Sequence, residues 1–197
     1  MTHIVSIAKV VEEAKMTSDT ASGVARLSTF VSWRPPLPDI LKLNTGASLE
    51  GGSGHAFGGG LIRDTTGSWR CGFVANIGVC SILTAEIWCL LHGLQLAKNM
   101  GIRKLEVESD SFTGVSMIVG NFEVTINCRS IVRKVQSLLH EFDLVVLRHV
   151  HREGNFAADF LSHYAFNFYK GVHVLESPSL GFSIWLMYDR LGVCYVR

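Results

Sequence analysis

Apolar and polar positions follow distinct periods along this chain, and the order of those periods predicts its elements. Ile40 to Thr45 reads as a short strand, and glycine-rich Gly46 to Gly54 as a turn region. His55 to Arg63 follows as a second strand. Asp64-Thr65-Thr66-Gly67 has hairpin-turn chemistry, and Ser68 to Asn76 makes the return strand. The first half is thus an antiparallel three-strand meander.

The period then changes. Ile82 to Asn99 places Leu83, Ile87, Leu90, Leu91, Leu94 and Ala97 at helical spacing, and Gly101 stops the helix. Lys104 to Ser109 is a strand that runs into Asp110-Ser111 and a short helix, Phe112 to Val119. Ser130 to Phe142 is amphipathic, with Ile131, Val135, Leu138 and Leu139 on one side. Leu144 to Val150 is the next strand, and Asn155 stands where it would cap a helix running through Leu161 towards Phe168. Strands alternating with helices after a meander predict an α/β fold, a mixed sheet with helices on both faces.

The flanks read differently. Trp33-Arg34-Pro35-Pro36-Leu37-Pro38 cannot continue a helix, because proline removes donors and restricts its predecessor. That run divides a flexible leader, residues 1–32 with a helical stretch at Ile4 to Ala14, from a domain at 33–168. Residues 169–197, with Pro178 and an apolar stretch at Phe182 to Met187, are expected to pack on the domain as an extension.

Composition narrows the class. Apolar residues make up 48% and charged residues 18%, which suits a packed core and excludes a disordered chain. A formal net charge of +1 supplies no global field for nucleic acid, so such binding would need a local patch. The five cysteines lack any C-x-x-C pair or zinc-finger spacing and read as free thiols in a reducing compartment. No apolar run approaches the roughly 18 residues of a membrane helix. Glu12, Glu13 and Asp19 argue against a signal or transit peptide in the leader. A soluble cytoplasmic or nuclear monomer is the expectation.

Three carboxylates then stand out. Glu86 shares a helical face with Leu90, Gly93 and Ala97, where an unpartnered acid is costly. Its alternative reading is a first-turn acid favoured by the helix dipole. Asp110 ends a strand, where α/β folds form crevices; it could equally be a helix N-cap. Asp159 lies one turn inside a helix, where the dipole offers the same plain account. It is delivered by His149-Val150-His151-Arg152-Glu153-Gly154-Asn155, which crowds two imidazoles, a guanidinium and an amide into one loop.

In their order along the chain these motifs resemble the ribonuclease H-like domain of plant non-LTR retroelements. Trp33-Arg34-Pro35-Pro36 with Lys42-Leu43-Asn44 resembles its opening. Gly59-Gly60-Leu61-Ile62-Arg63-Asp64 and Gly67-Ser68-Trp69 resemble its second and third strands, and Ala85-Glu86 with Gly93-Leu94 its first helix. Glu108-Ser109-Asp110-Ser111 is similar to its fourth strand, and His149 to Asn155 with Ala158-Asp159 and Leu161 to its closing block. The resemblance covers Trp33 to Phe166. It implies a ribonuclease H-like fold with a five-stranded mixed sheet, and Mg²⁺-dependent cleavage of the RNA strand of RNA–DNA hybrids. It implies that Glu86, Asp110 and Asp159 hold two Mg²⁺ ions, with His149 on the catalytic loop. Asn44, Thr45, Ser111, Arg152 and Asn155 would meet the substrate. Oxygen-rich acids suit hard cations, and two of them about 4 Å apart can activate water and stabilise a leaving oxygen.

One departure cuts against that implication. The family reads Leu-Asn-x-Asp-Gly-Ala at its first strand, whereas Leu43-Asn44-Thr45-Gly46-Ala47 is one residue short, and the missing residue is the acid that bridges both metals. Hydrolysis is therefore expected to be severely impaired. The alternative is a non-catalytic domain of the same fold, a retroelement relic or a binding module. Arg129, Arg133 and Lys134 with Arg148 and Arg152 give only a modest basic edge, so hybrid binding is expected to be weak. His149-x-His151 lacks a third zinc ligand at suitable spacing.

Overall fold

The structure, a computed structural model, describes residues 15–16, 29–179 and 181–197. The helical stretch expected at Ile4 to Ala14 lies outside the described residues. Strands β1 (Lys15–Met16) and β2 (Thr29–Val31) precede a long meander of β3 (Leu41–Leu49), β4 (His55–Arg63) and β5 (Trp69–Val79). Helix α1 (Ile82–Asn99), β6 (Lys104–Ser109), α2 (Phe112–Ile118), α3 (Arg129–Leu139), β7 (Leu144–His149) and α4 (Phe156–Tyr164) follow. The chain closes with β8 (Gly171–Leu175), α5 (Ser183–Arg190) and β9 (Tyr195–Val196).

The main sheet has the order β7-β6-β3-β4-β5-β8, so it holds six strands where five were expected. The sixth is β8, contributed by the extension, which pairs antiparallel with the outer edge of β5. An exposed eleven-residue strand such as β5 leaves a row of unpaired backbone groups, and β8 satisfies five residues of it. Strands β3, β6 and β7 run parallel, which brings the carboxyl ends of β6 and β7 beside the middle of β3. A small antiparallel sheet, β1-β2-β9, joins the two ends of the described chain.

Gly46 to Gly54 is not a turn throughout. Strand β3 continues through Gly46 to Leu49, because β4 pairs with it without interruption from Lys42↔Arg63 to Leu49↔Ala56. Cross-strand pairing overrides the local glycine signal.

Helices cover both faces. On one, α1, α2 and α3 pack over Leu43, Ile62, Leu105 and Val107 in the larger core. On the other, α4 lies over Phe57, Leu61 and Val74, and Phe182 of the extension joins that cluster. Gly59 lets α4 approach: a Cβ there would stand 2.5 Å from Leu161 Cβ. Ser81 starts α1 by accepting from the Thr84 amide, and Gly101, at φ +72°, ends it. Among the described residues, no helix is long and apolar enough to cross a membrane.

Candidate active site

Glu86 lies beyond the first turn of α1, which contains no acid, so the helix dipole does not account for it. Its side chain is buried, with 7% of the residue exposed. Oε1 accepts from the Ala47 amide of β3 at 3.0 Å, and Oε2 has no hydrogen-bond partner. Burial, then the neighbouring charge of Asp110, hold its pKa well above the ordinary carboxylate range, with a smaller push from Asp159.

Asp110 follows the carboxyl end of β6. It is not the cap of α2: Ser111 is, its Oγ accepting from the Gly114 amide at 3.3 Å. Burial raises the Asp110 pKa, and Asp159 adds to the rise. Asp159 stands in the first turn of α4 and pairs with Arg152, whose Nη2 lies 2.7 Å from Oδ1. Asp110 and Asp159 act electrostatically on Glu86, and Asp159 on Asp110, while the Ala47 amide and Asn155 bond to Glu86 and Asp110, so the three acids are near one another where α1, the end of β6 and α4 meet, the crevice of this site.

Asn155 stitches that crevice. Expected as the cap of α4, its side chain makes no capping bond. Its Nδ2 instead donates to the Thr45 carbonyl at 2.9 Å and to Asp110 Oδ1 at 3.3 Å. His149 is half-buried, its ring edge-on to Phe112 at 5.4 Å and to His151 at 5.6 Å.

Two of the residues expected to meet a substrate lie inside the fold. Asn44 and Thr45 are fully buried. Thr45 faces α1, where a Cβ on Gly93 would lie 3.2 Å from its Cγ2. Asn44 faces the opposite side and is enclosed by Trp33, Arg63, Glu108 and Asn155. Both frame the crevice from beneath, Asn44 through Asn155 and Thr45 through its carbonyl. Trp33, Arg63 and Glu108 belong to this frame, a role that no local motif announces.

Gly46 is next to the acids. A Cβ on it would stand 3.6 Å from Asn155 Nδ2 and from the Asp159 amide, pointing into the crevice. Among the described residues, no three His, Cys, Asp or Glu side chains come close enough to hold a metal ion. The oxygen donors are of the right kind for Mg²⁺, but one of the three acids is already paired with Arg152. The residues present do not fit a two-cation centre.

An acid without a counter-ion has a cost that substitution reveals. Glu86→Gln is expected to stabilise the fold at neutral pH by about 1–3 kcal/mol, since its amide can donate towards Asp110 where a carboxylate repels it. The sign follows from the shift: a folded pKa above the ordinary 4.5 leaves no penalty below that value. The penalty grows as pH rises towards the raised pKa. Thermal melts of parent and variant at acid and neutral pH check this; an advantage that shrinks with rising pH refutes it.

Similarity to known proteins agrees with this fold. A protein-family model described as reverse transcriptase-like matches residues 44–165. An Arabidopsis thaliana protein named "Putative ribonuclease H protein" is 34% identical over 167 residues, 85% of this chain. The chain spans 27% of that relative's length. Ribonuclease H1 from the archaeon Halobacterium salinarum superposes with a TM-score of 0.61 at 23% identity, covering 65% of this chain and 98% of its own. The LC11 ribonuclease H1, solved in complex with RNA/DNA hybrid, superposes at 0.59 with 24% identity, covering 64% and 95%.

Proposed function

This chain belongs to the reverse transcriptase-like family of ribonuclease H-like domains, and from that premise we propose that it engages RNA–DNA hybrids while hydrolysing them poorly or not at all. The observation that carries the reading is Gly46. It presents a bare backbone to Asn155 and Asp159 where the resemblance expects the acid shared by two Mg²⁺ ions. Glu86, Asp110 and Asp159 are, on this reading, the surviving members of the set, and His149 the histidine of the family's catalytic loop.

The hybrid as ligand class is supported by the LC11 structure, which is named for its complex with one. Descent from a plant retroelement is supported by the Arabidopsis relative and by the family's reverse transcriptase-like description. Binding is weak because the positive groups are few: Arg129, Arg133 and Lys134 are exposed on α3, and Arg152 is already paired with Asp159. Phosphate contacts of this kind fade as salt rises.

A fluorescent RNA–DNA hybrid in Mg²⁺ tests the reading. The parent is expected to cleave no faster than Asp110→Asn, while anisotropy reports weak binding that salt abolishes. Turnover at enzyme-like rates that Asp110→Asn removes would overturn it.

A further inference from the structure

Arg63 is completely buried at the end of β4, its guanidinium 4.0 Å above the ring of Trp33. Burial alone would disfavour its charge, and Asp189 of α5 opposes that. Nη1 donates to Asp189 Oδ2 at 2.5 Å and Nη2 to Asn44 Oδ1 at 2.7 Å. The Trp33 indole donates to the same Asn44 oxygen at 3.1 Å. With two donors on its oxygen, the Asn44 amide has one tolerable orientation, because the flipped form would set NH₂ against N–H groups. Its Nδ2 therefore faces the other way, donating to Glu108 Oε2 at 2.8 Å and to Asn155 Oδ1 at 3.2 Å. Asn155, its oxygen now committed, turns its own Nδ2 to the Thr45 carbonyl and Asp110.

We propose that Asp189 is a positioning residue for the crevice: by anchoring Arg63 it fixes the Asn44 amide, which in turn aims the Asn155 amide at Asp110. The matched family segment, residues 44–165, contains neither Trp33 nor Asp189, so this control comes from the flanking chain. The next acid acting on Arg63 is Glu108. With Asp189 gone, the guanidinium turns to Glu108, withdrawing a donor from the Asn44 oxygen and competing for the acceptor of its NH₂. The Asn155 amide is then free to rotate away from Asp110. The importance of this coupling rests on the crevice being the functional site, but its test reads the amides directly and is blind to whether hydrolysis occurs.

Side-chain amide cross-peaks of the ¹⁵N-labelled full chain supply the test. In Asp189→Ala, the Asn44 and Asn155 peaks are expected to move by more than their line widths, while Asn76, whose Nδ2 donates to the Phe168 carbonyl outside this chain of bonds, stays put. Should Asp189→Ala fail to fold, the paired change Arg63→Met/Asp189→Leu removes the same donor without stranding a charge, and the same two peaks must move. An unmoved Asn155 peak in the folded variant overturns the proposal. So does an Asn76 peak that moves as far, since that marks general loosening.

Discussion

Replacing Gly46 by aspartate is expected to raise cleavage of an RNA–DNA hybrid in Mg²⁺ by at least roughly a hundredfold over the parent, the effect of about 3 kcal/mol of added charge stabilisation at the reacting phosphate. The backbone permits the change. Gly46 is not among the glycines with positive φ, and a Cβ on it would meet Asn155 Nδ2 and the Asp159 amide at 3.6 Å, which is ordinary contact. Substitution also keeps the register of β3. Inserting aspartate between Thr45 and Gly46 would leave the pairing of Leu41 to Thr45 with β6 alone but shift Gly46 to Leu49 by one against β4. A one-residue slip sends each side chain to the other face, with Glu50 to Gly54 left to absorb the extra length.

Both variants belong in one assay. Gain in Gly46→Asp, lost again on adding Asp110→Asn, shows that Glu86, Asp110 and Asp159 form a centre lacking one member. Gain only in the insertion variant says that the family's longer strand is needed to aim the acid. If neither cuts the hybrid, the three acids are not the remnant of a hydrolytic centre, and their convergence requires another explanation.

Much of this architecture is legible in the sequence where local and tertiary signals agree. The bounds of β4, α1 and β6 coincide with those expected from periodicity, because Ser81 and Gly101 bracket α1 and the turn at Asp64 to Gly67 closes β4. The continuation of β3 through Gly46 is hidden because glycine signals a turn locally, while β4 beside it demands a strand as far as Leu49. Strand β8 is five residues with a glycine start, too short for a period, and exists because β5 has an edge to cover.

The site divides the same way. Acids on an apolar face reveal themselves, since residue type and position conflict. The frame beneath them does not. Lys42 is fully buried between Glu106 and Glu108, yet in sequence it is one more strand lysine. Only the parallel register, which sets Lys42 beside Glu106 and Asn44 beside Glu108, shows that these groups share a face. Arg63 ends its strand just before a turn, and the acid it pairs with is 126 residues away.

That distant partner makes the second large effect a matter of stability. Asp189→Ala is expected to cost about 3–5 kcal/mol, because it leaves the Arg63 guanidinium charged, buried and without its counter-ion. Against the roughly 5–15 kcal/mol that holds a typical domain together, that is a large fraction. In urea the midpoint should fall by about 1–3 M with little change in slope. Removing both partners tells ion pairing apart from simple packing. Arg63→Met/Asp189→Leu exchanges a desolvated pair for apolar volume beside Trp33, an exchange that is often neutral or stabilising. The double variant should therefore be more stable than Asp189→Ala alone, a sign of coupling that additive losses cannot produce. If instead the double variant is the less stable of the two, Arg63 is held by Trp33 and Asn44 without need of Asp189. The extension would then owe its place to the packing around Phe182 and to the pairing of β8 and β9.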